Sequence, residues 1–227
     1  MTAIVVQARI DSSRLPGKAL LLIDGKPLVM RVMEALNQIP CDLRILACPE
    51  DSFKELSPLA EKCNFKIFSG PKEDVLERYC RVIRHYSIKQ VLRATADNPF
   101  VFADAAASIN AEALALKADY SGYSGLPYGA GVESVCANAL LRAGEDASSE
   151  ETSFDREHVC PYLYTHPEIF KLHLPLAPLR WQGSDIRLTV DTSEDFGRAC
   201  ELFMSLKNDP FKYYGTAIIK KYTEIFP

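Results

Sequence analysis

The chain reads as an α/β protein: a mostly parallel mixed sheet between two layers of helices, a three-layer α/β/α sandwich. Two observations predict it. Short β-branched apolar runs alternate with longer segments of helical periodicity through residues 1–117. The first run, Ile4-Val5-Val6, is apolar at successive positions, the pattern of a strand covered on both faces.

Residues 3–8 make that first strand, and the stretch 7–20 (QARIDSSRLPGKAL) then gathers three cations, two serines, a proline and a glycine. Pro27 stands where a first helical turn opens, with Leu28, Val29, Val32, Met33 and Leu36 following at helical spacing. The alternation continues with a strand over 43–47, a helix from Asp51 or Ser52 to about Lys62, and a strand over 65–68. A helix over about 72–85 carries the stripe Val75, Leu76, Tyr79, Val82 and Ile83. A strand over 90–93 and an Ala-rich helix over 103–116 complete the regular half.

Beyond residue 117 the rhythm changes. Residues 120–131 (YSGYSGLPYGAG) are Gly-, Tyr- and Ser-rich, a long loop flanked by strand-like runs. Residues 145–156 are polar and acidic, and a helix is predicted over about 154–165. Two strands joined by a Pro-rich connection are predicted over 168–190, then helices over 194–206 and 215–225. There is no repeat, low-complexity tract or clear linker, so one domain is expected over 1–227.

Composition narrows the function. The chain is 48% hydrophobic and its net charge is −4, from 26 basic and 30 acidic residues, so neither nucleic acid nor an anionic membrane attracts it as a whole. Any phosphate recognition must be local. The seven cysteines lie far apart, without a CxxC pair or zinc-ligand spacing, and suit small core residues in a reducing cytoplasm. The N-terminal residues run straight into a strand pattern and no apolar stretch approaches 18 residues, so the expectation is a cytoplasmic protein without a membrane segment.

The first strand-to-helix turn of an open α/β sheet is a common anion site, because backbone N–H groups and the helix end favour phosphate. Here Arg9, Arg14 and Lys18 add charge, Gly17 lets the backbone approach and Pro16 fixes its path. The pattern is neither GxxxxGK[ST] nor GxGxxG. An ordinary polar loop remains open at this point. Asp97, before Asn98-Pro99 at the end of a strand, suits a metal ligand or an Asx turn, and Asp191, before Thr192-Ser193, a metal ligand or a helix cap.

The stretch QAR-x-x-S-x-RLPGK-x-L resembles the signature loop of nucleotidyltransferases with a glycosyltransferase-A-like fold. It is most similar to the spore coat polysaccharide biosynthesis (SpsF-like) cytidylyltransferases, with acylneuraminate and Kdo cytidylyltransferases as more distant relations. Five further stretches fall in that family's order: GKPLVMRV at 25–32, EDVLERY at 73–79, RATADNPF at 93–100, DREHVCPY at 155–162 and LTVDTSEDF at 188–196.

The resemblance implies transfer of CMP from CTP to a sugar or sugar acid with release of pyrophosphate. It implies Mg2+ on Asp97 and Asp191, and nucleotide contacts from Gln7, Ala8, Arg9, Ser12, Arg14, Gly17, Lys18, Arg78 and Arg93. Arg14, Lys18 and Asp97 would act on the reacting phosphates. The implied acceptor side lies in 118–227, with Glu133, Arg156, Glu157 and His158, and that half also suits a homodimer contact. Helical neighbours diverge, so at most two of Arg156, Glu157 and His158 can face one cleft. Arg78 equally suits the solvated face of its helix, Glu133 an outward position on an edge strand, and Arg9 a brace for the loop. Where the family reads close to DGLDVEVF, this chain has YGAGVESV at 128–135, with Gly131 in place of an aspartate. Two rivals stand beside this reading. A glycosyltransferase of the same fold would normally show a D-x-D metal motif, which the chain lacks, and a nucleotide-binding homologue of reduced activity would rest on Gly131.

Overall fold

The computed structural model describes residues 1–147 and 153–227. In them a seven-stranded sheet runs in the order β5-β4-β1-β6-β8-β7-β9. Its strands are β1 (Thr2–Gln7), β4 (Leu43–Pro49), β5 (Lys66–Gly70), β6 (Gln90–Thr95), β7 (Tyr120–Ser121), β8 (Glu133–Cys136) and β9 (Leu172–His173). A separate hairpin joins β2 (Leu22–Ile23) to β3 (Lys26–Pro27). Strand β8 runs antiparallel to both its neighbours, β6 and β7, while the other described pairings in the large sheet are parallel. Strands from both halves of the sequence therefore share one sheet.

The doubly apolar first strand explains the layers. Ala3 and Val5 face one core with α3 (Val75–Tyr86), α5 (Ala137–Asp146) and α7 (Pro161–Thr165), while Ile4 and Val6 face another with α1 (Leu28–Leu36), α2 (Glu50–Lys62) and α4 (Ala103–Leu116). The buried Tyr79 hydroxyl donates to the Val5 carbonyl at 3.1 Å and ties α3 to the central strand. A third cluster forms beneath α8 (Ser193–Leu206) and α9 (Gly215–Ile225), around Phe102, Trp181, Leu188 and Phe203. No helix among the described residues is long and apolar enough to cross a membrane.

Two expectations are corrected and one helix is added. The predicted strands over 168–190 reduce to the two-residue β9, a 3-10 turn at Leu179–Trp181 and single bridges Ser124↔Leu176 and Tyr128↔Arg187. Pro175 and Pro178 have no N–H to give a ladder. The single helix over 154–165 is two, α6 (Ser153–His158) and α7, divided at Val159 with φ 76° ahead of Pro161. Helix α5 went unpredicted; its buried Ala137, Ala139, Leu140 and Ala143 are mostly too small to stand out as an apolar stripe. Of the acidic stretch 145–156, residues 148–152 lie outside the described residues.

Candidate active site

A cleft of about 380 Å³ opens over the carboxyl ends of β1 and β6, where ligands of open α/β sheets bind. The loop after β1 forms one wall. Gly17 takes the left-handed φ of 67° that turns the chain into a 3-10 turn, Lys18–Leu20, and the β2–β3 hairpin follows before α1 begins. Helix α1 opens just after Pro27 as its spacing predicts, but the hairpin stands between the loop and the helix end, so side chains bring the charge.

Opposite, β6 delivers Asp97 and the segment before α8 delivers Asp191. The Val190 N–H donates to the Asp97 carbonyl at 2.9 Å, which holds the two carboxylates side by side. Lys18 Nζ donates to Asp97 Oδ2 at 2.8 Å, to Asp191 Oδ1 at 3.1 Å and to the Val190 carbonyl at 3.1 Å. Arg14 adds a bond to Asp191 Oδ1 at 2.9 Å. The two cations differ in freedom: the Lys18 side chain is 16% exposed and the Arg14 side chain 68%. Burial alone would raise the Asp97 carboxyl, but the charge and hydrogen bond of Lys18, with help from Thr95, hold it below its ordinary value.

Asp191 is also held from behind. Arg187 donates to its Oδ2 at 2.8 Å and to Asp195 Oδ1 at 3.0 Å. Asp195 closes the capping box of α8 with Thr192 and accepts from Arg198 at 2.7 Å. Burial works against its charge, yet the hydrogen bonds from Arg187, the Asp191 N–H, Arg198 and Thr192 lower its carboxyl strongly.

On the other side lies the loop between β5 and α3. Arg78 sits off the apolar stripe of α3 but is buried, donating to the Pro71 carbonyl at 2.9 and 2.6 Å and to Lys72 at 3.0 Å. It passes so close to Gly70 that a Cβ there would lie 2.8 Å from Arg78 Cγ. Arg9 is exposed on the same wall. Asp74 caps α3 by accepting from the Glu77 N–H at 2.9 Å.

Arg93 reaches the cleft floor from β6, donating to Glu133 and, at 3.1 Å, to Gln7 Oε1. The Tyr120 hydroxyl donates to the other Glu133 oxygen at 2.7 Å. Burial would lower the Arg93 guanidinium, but the Glu133 carboxylate raises it well above its ordinary value. Strand β8 lies between β6 and β7, so Glu133 is not on an edge.

The cleft lining thus includes Gln7, Ala8, Arg9, Ser12, Arg14, Lys18, Arg78, Arg93, Asp97, Glu157, His158 and Asp191, while Gly17, Glu133 and Arg156 stand behind it. Arg156 turns away to Asp74, at 2.8 Å from Nε and 2.6 Å from Nη2, and to the carbonyls of Gly144 and Ala147. Gly131 is exposed and also outside the lining, and a Cβ on it would meet only Leu126 Cδ1 at 3.5 Å. Sequence reasoning missed Thr189 and Arg187. A signal existed for both, since period-two alternation puts Arg187, Thr189 and Asp191 on one side of an extended segment.

A cationic loop after the first strand thus clasps two aspartates across the carboxyl ends of parallel strands. The chain belongs to the cytidylyltransferase family, whose profile matches residues 3–221. It is 31% identical over 215 residues to the spore coat polysaccharide biosynthesis protein SpsF of Bacillus subtilis, covering 91% of this chain and 88% of that one. In fold it is similar to a cytidylyltransferase from Leptospira borgpetersenii, with a TM-score of 0.88 at 22% identity over 99% of this chain and 94% of that one. It is also similar to CMP:2-keto-3-deoxy-manno-octonic acid synthetase complexed with CTP, with a TM-score of 0.69 at 16% identity over 90% of this chain and 98% of that one.

Proposed function

We propose that the protein transfers CMP from CTP to a hydroxyl of a sugar or sugar acid and releases pyrophosphate. The observation that carries this reading is the clasp of Lys18 on Asp97 and Asp191: a cation held where two carboxylates converge, beside a second, exposed cation. The relatives named above support the choice of nucleotide and of acceptor class.

The two aspartates also suit a divalent ion. Asp97 Oδ2 and Asp191 Oδ1 already converge on one positive group, Lys18 Nζ, and both are hard oxygen donors. No cluster of three or more His, Cys, Asp or Glu side chains forms a metal site among the described residues. Two carboxylates fit magnesium, which keeps several waters and shares its remaining positions with phosphates. When bound, the ion neutralises triphosphate charge and polarises the phosphorus under attack.

The chain's own residues do the rest. Lys18 and Arg14 leave the aspartates for phosphate oxygens, so the cleft exchanges internal ion pairs for contacts to the triphosphate and its leaving group. Arg9 adds charge at the same wall, while Arg78 holds the 71–72 backbone in shape to line the nucleotide. Tyr128, Gly129, Glu157 and His158 border the remaining space, where the acceptor lies. Its oxygen forms a bond to the α-phosphorus as the bond to the β-phosphate bridging oxygen breaks, and the hydroxyl proton departs to solvent. Positioning and charge suffice; no covalent enzyme intermediate is required.

The test incubates the protein with magnesium, a panel of sugars and sugar acids and, in turn, each of the four nucleoside triphosphates and a set of nucleotide sugars, following pyrophosphate and the nucleotide sugar. Release with CTP and an acceptor supports the reading. Consumption of a nucleotide sugar instead assigns a glycosyltransferase, and binding without turnover a nucleotide-binding protein.

A further inference from the structure

We propose that Arg187 is a positioning residue that makes Asp191 a one-oxygen ligand, locking its second oxygen away from the cleft. The proposal rests on the reading of Asp191 as a ligand to a divalent ion bound with CTP. The two oxygens of Asp191 are already divided. Oδ1 faces the cleft, where Lys18 and Arg14 hold it at 3.1 and 2.9 Å, and Oδ2 belongs to Arg187 at 2.8 Å.

Arg187 is itself fixed on two sides. Its guanidinium reaches Asp195 through Nε at 3.0 Å and through the same terminal nitrogen that holds Asp191 at 3.4 Å. Asp195 is anchored by the N–H groups of Asp191 and Thr192, both at 3.0 Å, and by Arg198. Over its face lies the Tyr128 ring, with its centroid 5.0 Å from the guanidinium carbon. The backbones beneath are paired, with the Tyr128 N–H on the Ile186 carbonyl and the Leu188 N–H on the Tyr128 carbonyl, both at 2.8 Å. A planar, forked cation between two carboxylates and under a ring is a role that lysine cannot reproduce. Because Tyr128 is exposed in the cleft, the same contact links the acceptor side to the metal ligand.

Groups that orient a metal's ligands typically cost about 10–100-fold in metal affinity or activity when removed. The readout here is the gain in CTP affinity that Mn2+ confers, obtained by calorimetric titration of CTP with Mn2+ and, separately, with a chelator. In the wild type Mn2+ tightens CTP binding. Arg187→Gln is expected to lose at least about tenfold of that gain while its metal-free CTP affinity stays within about twofold. Arg187→Lys recovers part of it. Arg198→Gln strips a cation from Asp195 without touching Asp191 and leaves the gain unchanged. An undiminished gain in Arg187→Gln overturns the positioning role alone, as does an equal loss in Arg198→Gln, which would mean a general loosening of α8. Absence of any gain in the wild type overturns the metal reading together with it. If Arg187→Gln does not fold, Arg187→Lys decides, and a gain equal to the wild type's overturns the proposal.

Discussion

Lys18 and Asp191 stand 173 residues apart in sequence and 3.1 Å apart in space. Their contact closes a charge circuit across the cleft, in which Lys18 and Arg14 face Asp97 and Asp191 while Arg187 steadies Asp191 from behind. Without a ligand the site neutralises itself, and under the proposed function a triphosphate and its ion would take over each partner.

Removing Lys18 tests this circuit. Lys18→Met is expected to slow turnover at least about tenfold, the order lost with one preorganised cation on a developing charge. It should leave the thermal midpoint within a few degrees. Without nucleotide, the variant is expected to take up Mn2+ more tightly than the wild type, because its own ammonium no longer competes for the carboxylates. An unchanged rate, or a chain that fails to fold, contradicts the circuit.

Arg156 is expected to behave as a structural residue. Its bonds to Asp74 tie α6 to the N-cap of α3. Arg156→Ala should destabilise the fold by about 1.5–3 kcal/mol, the range for hydrogen bonds to charged groups, with the KM for CTP little changed. Denaturant unfolding and steady-state kinetics check both. A stable variant with a raised acceptor KM would put Arg156 in the acceptor site instead.

Gly129 and Gly131, one and three residues beyond Tyr128, should respond in opposite ways. Gly129 has φ 92°, and a Cβ on it would lie 2.7 Å from the Thr189 N and 2.9 Å from Asn98 Oδ1, beside both aspartates. Gly129→Ala is expected to cost about 1–3 kcal/mol of strain, or more with the clash, and to lower activity. Gly131→Asp, which supplies the aspartate of the resembled family, places its Cβ in ordinary contact with Leu126 Cδ1 at 3.5 Å and should fold with an unchanged thermal midpoint. Its CTP affinity should also hold, since position 131 lies outside the cleft lining. Melting curves and CTP titrations of the two variants separate these outcomes.

Acid should unlock α8 and the cleft together. Asp195 and Asp97 are both held below the ordinary value of 3.8, so the unfolded chain takes up their protons first as pH falls. Their stabilisation is complete above that value and is lost as pH drops through the depressed values in the folded protein. The thermal midpoint should fall steeply below about pH 4. Asp195→Asn is expected to start lower and show a flatter acid limb; an equally steep limb would assign the acid sensitivity elsewhere.

Much of this is legible in the sequence. Ile4 to Val6 announced a strand covered on both faces because burial on two sides leaves no polar alternation. Position at the sheet end leaves Arg14, Lys18, Asp97 and Asp191 open between site roles and ordinary loop, turn or cap roles, and the family resemblance is what singles them out. The partners of Arg78, Glu133 and Arg156 were not legible. Arg78 looks solvent-facing by helical phase, yet it serves carbonyls of a neighbouring loop. Glu133 looks like an edge residue because the chain does not reveal that β8 is inserted beside β6. Local pattern specifies an element's own faces; which strand or loop lies against them depends on contacts far along the chain.

The most direct test of cytidylyl transfer follows the phosphorus itself. With CTP labelled in turn at the α- and γ-phosphate, magnesium and an accepted sugar acid, the α-label should appear in a CMP–sugar conjugate and the γ-label in pyrophosphate, one for one. An α-label left in CTP or recovered as CDP, or a γ-label on the sugar, would contradict it.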